Sequence, residues 1–142
     1  MEASEIVIQM IREFEGLRLE AYLDPTGVPT IGYGHTGDDV KMGDLISKYW
    51  AEDLLRRDLR KVEDAVNELD VATTQGQFDA LVSFAFNLGV NRLNKSTLLK
   101  RIRDGDSRKA ITQEWMRWVY AGDKRLNGLV KRRAWEIHRF FE

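Results

Sequence analysis

An α+β, mostly helical fold is what this sequence predicts: a small β lobe near the N-terminus and a larger helical lobe, joined by one long helix. Three observations carry that expectation. Apolar residues recur at steps of three and four through most of the 142 residues. The period vanishes between Tyr22 and Thr36, where glycines and turn residues punctuate a β-rich stretch. It then returns over 47–69 as a single long run.

Each element has its own local reason. In residues 4–15, Val7, Met10, Ile11 and Phe14 form one apolar face, Ser4 can cap, and Gly16 accepts the left-handed conformation that ends a helix. "DPTG" is turn chemistry, with Pro25 presetting φ and Gly27 tolerating φ > 0. The glycine-punctuated "VPTIGYGH" completes a two- or three-stranded sheet within 21–40, too small to be stable without helices packed on it. Trp50, Leu54, Leu55, Leu59, Val62, Val66 and Leu69 line the long helix. In "TTQGQFDALVSFAFNLG", Thr74 and Gln77 have capping-box spacing, and the apolar residues leave so little polar face that this helix is expected to be central and buried. Shorter helices are expected over 96–104, stopped by Gly105, over 107–119, capped by Asp106, and over 128–141, capped by Asn127. The expected organisation is one domain over 1–142. Its β lobe covers about 16–46, its connecting helix about 47–69, and its helical lobe about 70–142 plus the helix at 4–15, with a cleft between the lobes.

Composition narrows the function. A net charge of −1 argues against a dedicated nucleic-acid binder. The basic stretches "LLRRDLRK" and "KRLNGLVKRR" read as solvated helix faces. Without cysteine there are no disulfides or thiolate metal sites, and with two histidines a histidine-rich metal site is not expected. No apolar run is long enough to span a bilayer, and the acidic N-terminus does not read as an export signal.

Two carboxylates stand out. Glu15 falls on the last turn of a helix, where the macrodipole and any desolvation both disfavour a negative charge. Asp24 precedes a turn whose amides and water can keep it ionised. Two carboxyls pushed in opposite directions are the pattern of an acid–base pair. Glycosidic cleavage uses such a pair: at about 5–5.5 Å the second carboxylate attacks directly, and at about 6.5–9.5 Å a water fits between. Sequence spacing does not choose between these. Thr30, on the strand after Asp24, could help hold a water. On spacing alone, two acids nine positions apart are ordinary helix-end and turn residues.

The wider string is more specific. Glu15-Gly16, Tyr22 and Asp24, then Gly27, Thr30, Gly32, Tyr33, Gly34 and His35 resemble the signature of the phage-type lysozymes, the endolysins of glycoside hydrolase family twenty-four. The similarity continues through 51–59, 77–89 and 96–99. It implies the two-lobe lysozyme-like fold. It also implies a muramidase that hydrolyses the β-1,4 bond between N-acetylmuramic acid and N-acetylglucosamine, with inversion. Glu15 would then be the general acid, and Asp24 with Thr30 would direct the water. The resemblance places Thr36, Phe86, Asn87 and Ser96 at the glycan. It pairs His35 with Asp58 as a structural tie between hairpin and long helix, which would help His35 keep its proton. Trp115, Trp118 and Trp135 read as core. Arg125, Lys131, Arg132 and Arg133 are the cluster expected to meet an anionic wall.

No cofactor or metal is implied. The expected partner is the peptidoglycan glycan strand, met by a monomer without nucleic acid or stable membrane insertion. The protein would wait in the host cytoplasm until a holin lesion admits it to the periplasmic wall. Two alternatives remain: a lytic transglycosylase, which needs one acid, and an inactive wall-binding or phage structural module.

Overall fold

The local rules above produce seven helices and five short strands in the computed structural model, which describes residues 1–142. Contacts divide the chain into two units, Ile8–Lys61 and Met1–Val7 with Val62–Glu142, so the boundary runs through the first and the longest helices. The expectation placed all of 4–15 with the helical lobe. In the structure Ile8 onward belongs with the sheet.

In the smaller unit, helix α1 (Glu5–Glu15) enters from the other unit and ends at Gly16, whose φ of 72° is the left-handed stop. Strands β1 (Arg18–Leu23), β2 (Pro29–Gly32) and β3 (His35–Thr36) form an antiparallel sheet in that order. Tyr22 pairs with Thr30, Thr30 with Thr36, and Ile31 with His35. Residues 44–46 run beside β1, with Ala21 N–H donating to Asp44 O and Ile46 N–H to Leu19 O. The sheet buries Ala21 and Ile31 against Val40 and Leu54, with Ile46 beside them. This apolar cluster supplies what so small a sheet lacks alone. Leu54 comes from helix α2 (Lys48–Leu69), capped by the Ser47 hydroxyl, which accepts from Trp50 N–H at 3.0 Å.

In the larger unit, helix α3 (Gln75–Leu88) has nine consecutive or nearly consecutive buried positions from Gly76 to Ala85, as its apolar sequence requires. Thr74 caps it by accepting from Gln77 N–H. The reciprocal half of the box is displaced: Gln77 Oε1 accepts from Thr73, not Thr74. Helices α4 (Val90–Lys95), α5 (Thr97–Arg103), α6 (Arg108–Trp115) and α7 (Asn127–Phe140) follow, with a hairpin of β4 (Tyr120–Ala121) and β5 (Lys124–Arg125) before α7.

Several expectations are corrected here. Helix α4 and the β4–β5 hairpin were not anticipated. The helix expected over 107–119 ends at Trp115, because the chain turns away and Val119 O accepts from Leu126 N–H. Its cap is the Ser107 hydroxyl, which accepts from Ala110 N–H, while Asp106 is drawn to Arg101 at 3.2 Å. Asn127 is the first residue of α7 rather than its cap.

The reading of "KRLNGLVKRR" as a solvated face fails at two positions. Arg132 is 2 % exposed and Arg133 is 0 % exposed. Both lie on the side of α7 that carries Glu136, Ile137 and Phe140 inward. Only Arg125 and Lys131 of that cluster stand exposed. Trp115 is fully buried, packed edge-on against Phe84 and Phe140, and Trp118 is partly buried with its ring edge-on to Phe84.

Candidate active site

Asp24 is held by its own turn. Its Oδ1 accepts from Thr26 N–H at 2.8 Å, Thr26 Oγ1–H at 2.7 Å and Val28 N–H at 2.9 Å. Its backbone N–H donates to Val28 O, which also accepts from Thr30 Oγ1–H at 2.9 Å. The Val28 peptide therefore ties Asp24 and Thr30 to one another. The Val28 amide, then the Thr26 hydroxyl, hold the Asp24 carboxyl below its usual range, with slight desolvation opposing and the Thr26 and Gly27 amides adding. All of these side-chain bonds engage Oδ1, so Oδ2 is the oxygen with no protein donor.

Thr30 is 4 % exposed. Its one hydroxyl hydrogen is donated to Val28, leaving lone pairs that can only accept.

Glu15 is the last residue of α1 and is partly exposed. Its carboxylate lies against the glycine hairpin: a Cβ on Gly34 would stand 2.5 Å from Glu15 Oε1 and 3.3 Å from its Cδ. Gly34 has φ 78°, so the turn and the close approach both call for glycine. The "GYG" glycines were expected in the small sheet, and the approach of Glu15 was not anticipated. One turn back on α1, Arg12 holds Glu52 of α2 through Nε at 3.0 Å and Nη2 at 2.8 Å, and Tyr33 O–H donates to the same carboxylate at 3.0 Å. The Arg12 guanidinium keeps the Glu52 carboxyl below its usual range; burial and then the Glu52 bond push the Tyr33 hydroxyl above its own. This trio fixes the end of α1 to the hairpin and α2. No spacing rule pointed to it.

His35 lies between two carboxylates: Nδ1 is 2.8 Å from Asp58 Oδ2, and Nε2 is 3.2 Å from Asp39. Burial disfavours the charged ring, but the hydrogen bonds and charges of Asp58 and Asp39 outweigh it and raise the His35 pKa. Asp39 was missed from sequence, although its i+4 position across the "HTGDD" turn was available as a signal.

The remaining named positions are dispersed. Thr36 is exposed on β3. Phe86 and Asn87 are partly exposed on the last turn of α3. Ser96 is buried as the cap of α5, donating to Leu93 O at 2.7 Å and accepting from Leu99 N–H at 3.0 Å. One lone pair remains to it for any ligand. It borders a hollow of about 570 Å³ in the larger unit, with Arg92, Lys95, Arg117 and Trp118 among the walls.

Residues 12–136 match the family model described as phage lysozyme. The chain is 47 % identical to the endolysin of Bacillus phage B103 over 96 % of its own length and 52 % of that protein, so it spans about half of that relative. It is 42 % identical to an endolysin of Acyrthosiphon pisum secondary endosymbiont phage 1, covering 96 % of this chain and 95 % of that one. Among solved structures, the muramidase domain of SpmX from Asticaccaulis excentricus superposes with a TM-score of 0.88 at 37 % identity, over 99 % of this chain and 98 % of that one. The fold is thus shared with these relatives, and the chain belongs to the phage lysozyme family.

Proposed function

We propose that this protein is a muramidase that hydrolyses the β-1,4 bond between N-acetylmuramic acid and N-acetylglucosamine in peptidoglycan, with inversion. The observation that carries the proposal is the asymmetry of Asp24. One oxygen is satisfied by three donors, the other is open, and the Thr30 hydroxyl is anchored to the same Val28 carbonyl. A water that donates one hydrogen to Asp24 Oδ2 and the other to Thr30 Oγ1 turns its lone pair outward. It attacks the sugar C1, the bond from C1 to the leaving oxygen breaks, Glu15 gives that oxygen its proton, and the water's proton passes to Asp24. Both carboxyls are reset by proton exchange with solvent.

Thr36, Phe86 and Asn87 are the proposed glycan contacts, with Ser96 limited to one accepted bond. Family membership supports peptidoglycan as the substrate. In this reading the protein works as a monomer without cofactor, held in the host cytoplasm and reaching the wall through a holin lesion; no helix is long and apolar enough to cross a membrane.

Mass spectrometry of the products from purified, O-deacetylated peptidoglycan tests the chemistry. Reducing muramic-acid ends are expected from the wild type and from neither Glu15→Gln nor Asp24→Asn. Anhydro ends, with Asp24→Asn still active, would instead mean a transglycosylase. No soluble product from folded wild type would leave a binding or structural module.

A further inference from the structure

Helix α7 carries a buried charge cluster that the hydrolytic steps do not use. Glu136, fully buried, receives Ser83 O–H at 2.6 Å, Trp115 Nε1–H at 2.9 Å and Arg133 Nη2–H at 3.0 Å. Arg133 Nε also lies 2.7 Å from Glu136 Oε1, at an angle too poor for a hydrogen bond. The Arg133 guanidinium carbon lies over the Phe84 ring, 5.2 Å from its centroid, and Nη1 donates to Trp118 O at 3.4 Å. The guanidinium is thus held from several sides at once. Its Nη2 also donates to Asn87 Oδ1 at 2.8 Å.

That last bond has a consequence for Asn87. Arginine carries donors only, so the amide atom facing it must be the oxygen. The Asn87 amide cannot flip without setting N–H against N–H. Its Nδ2 group makes no bond within the protein, and the residue is partly exposed. We infer that Arg133, held by Glu136, is a positioning residue that fixes the Asn87 amide so that its unused Nδ2 donors are presented to a ligand and take an acceptor oxygen of the glycan. The acceptor is an acetamido carbonyl or a sugar hydroxyl. This inference rests on the muramidase reading above.

The test is steady-state hydrolysis of soluble, uncross-linked glycan strands, with thermal melts run alongside. Asn87→Asp keeps an oxygen for Arg133 and removes both donors without opening a cavity. A rise in KM of about tenfold with kcat within about twofold is expected, the pattern of lost uniform binding. Arg133→Lys should raise KM in the wild-type background and add nothing in Asn87→Ala, because its effect passes through that amide. Should Arg133→Lys fail to fold, Asn87→Asp still decides. On strands whose acetamido groups are removed, the Asn87→Asp effect disappears if the acceptor is the carbonyl and persists if it is a hydroxyl. An active wild type with KM unchanged in Asn87→Asp, or additive effects in the Arg133–Asn87 pair, overturns the inference alone. An inactive wild type overturns the muramidase reading beneath it.

Discussion

Gly34→Ala separates the two roles of the glycine hairpin. The φ of 78° puts an alanine in the left-handed region, a strain of about 1–2 kcal/mol, partly offset by the stiffer unfolded chain. The net loss is about 1 kcal/mol, or roughly 3 °C in Tm for a chain of this size. The added Cβ would also meet Glu15 Oε1 at 2.5 Å, where ordinary contact begins at 3.4 Å. Since the atom it meets is the end of a flexible side chain, relief is cheap in stability: the carboxylate withdraws by about 1 Å. A displacement of that size at a reacting group costs on the order of 10²-fold in rate. Gly105→Ala is the matched control, with φ 65° and nothing within 4 Å of the new Cβ. Both variants should melt a few degrees early, and only Gly34→Ala should lose turnover, measured as reducing ends released from peptidoglycan. Wild-type turnover in Gly34→Ala would refute the argument that the hairpin sets the position of Glu15.

Other perturbations test the scaffold. Gly76→Ala would drive a Cβ into the Arg139 carbonyl across the α3–α7 contact, backbone that cannot give, so a loss of about 2 kcal/mol is expected by thermal or denaturant melting. Glu136→Gln removes a carboxylate that is ion-paired with two buried arginines and should cost about 3 kcal/mol, roughly 10 °C in Tm; a shift under 2 °C would contradict the burial argument. The His35 pKa is raised on folding above its usual 6.5, so its contribution to stability is complete below that pH and is lost as pH rises through the folded pKa. Asp39, lowered chiefly by its bond to His35, contributes above its usual 3.8 and loses that as pH falls through the folded value. Melts between about pH 6 and pH 9 should therefore slope downward in the wild type and flatten in His35→Gln, and an NMR titration should place His35 above 6.5.

The sequence was most legible where local rules and tertiary packing agree. Ser4, Gly16, Ser47 and Thr74 stand where helix ends need them, and the long apolar stripes of α2 and α3 leave one reading. It was least legible where tertiary contacts override the local pattern. Trp118 and Val119 continue the helical period of α6, yet the chain leaves the helix before them to form the β4–β5 hairpin. The two-residue turn Gly122-Asp123 was the available signal for that hairpin. Helix α4, at six residues, is too short for periodicity to reveal. Arg132, Arg133 and Glu136 occupy inward positions on α7, but any scale of residue polarity places them outside. Only their i, i+3 and i, i+4 spacing hinted that they could neutralise one another in the interior. In the candidate site, the acids, Thr30 and the turn that holds Asp24 were visible, while the groups around Glu15 were not.

That difference follows from how the two carboxylates are placed. Asp24 is organised by residues 24–28, a turn that closes on itself through Thr26 and Val28 and carries Thr30 with it. Its ionised state is a property of a short peptide segment, which is why turn chemistry alone anticipated it. Glu15 depends on distant parts of the chain: Arg12 gripping Glu52 forty positions away, Tyr33 reaching the same carboxylate, and Gly34 leaving room for the acid. A base that must stay charged needs only donors, and a turn supplies those cheaply. An acid that must meet a leaving oxygen needs a fixed position, and position in a small unit comes from contacts between elements. The proposed acid–base pair is thus half local and half global, and substitutions far from Glu15 in sequence are the ones able to move it.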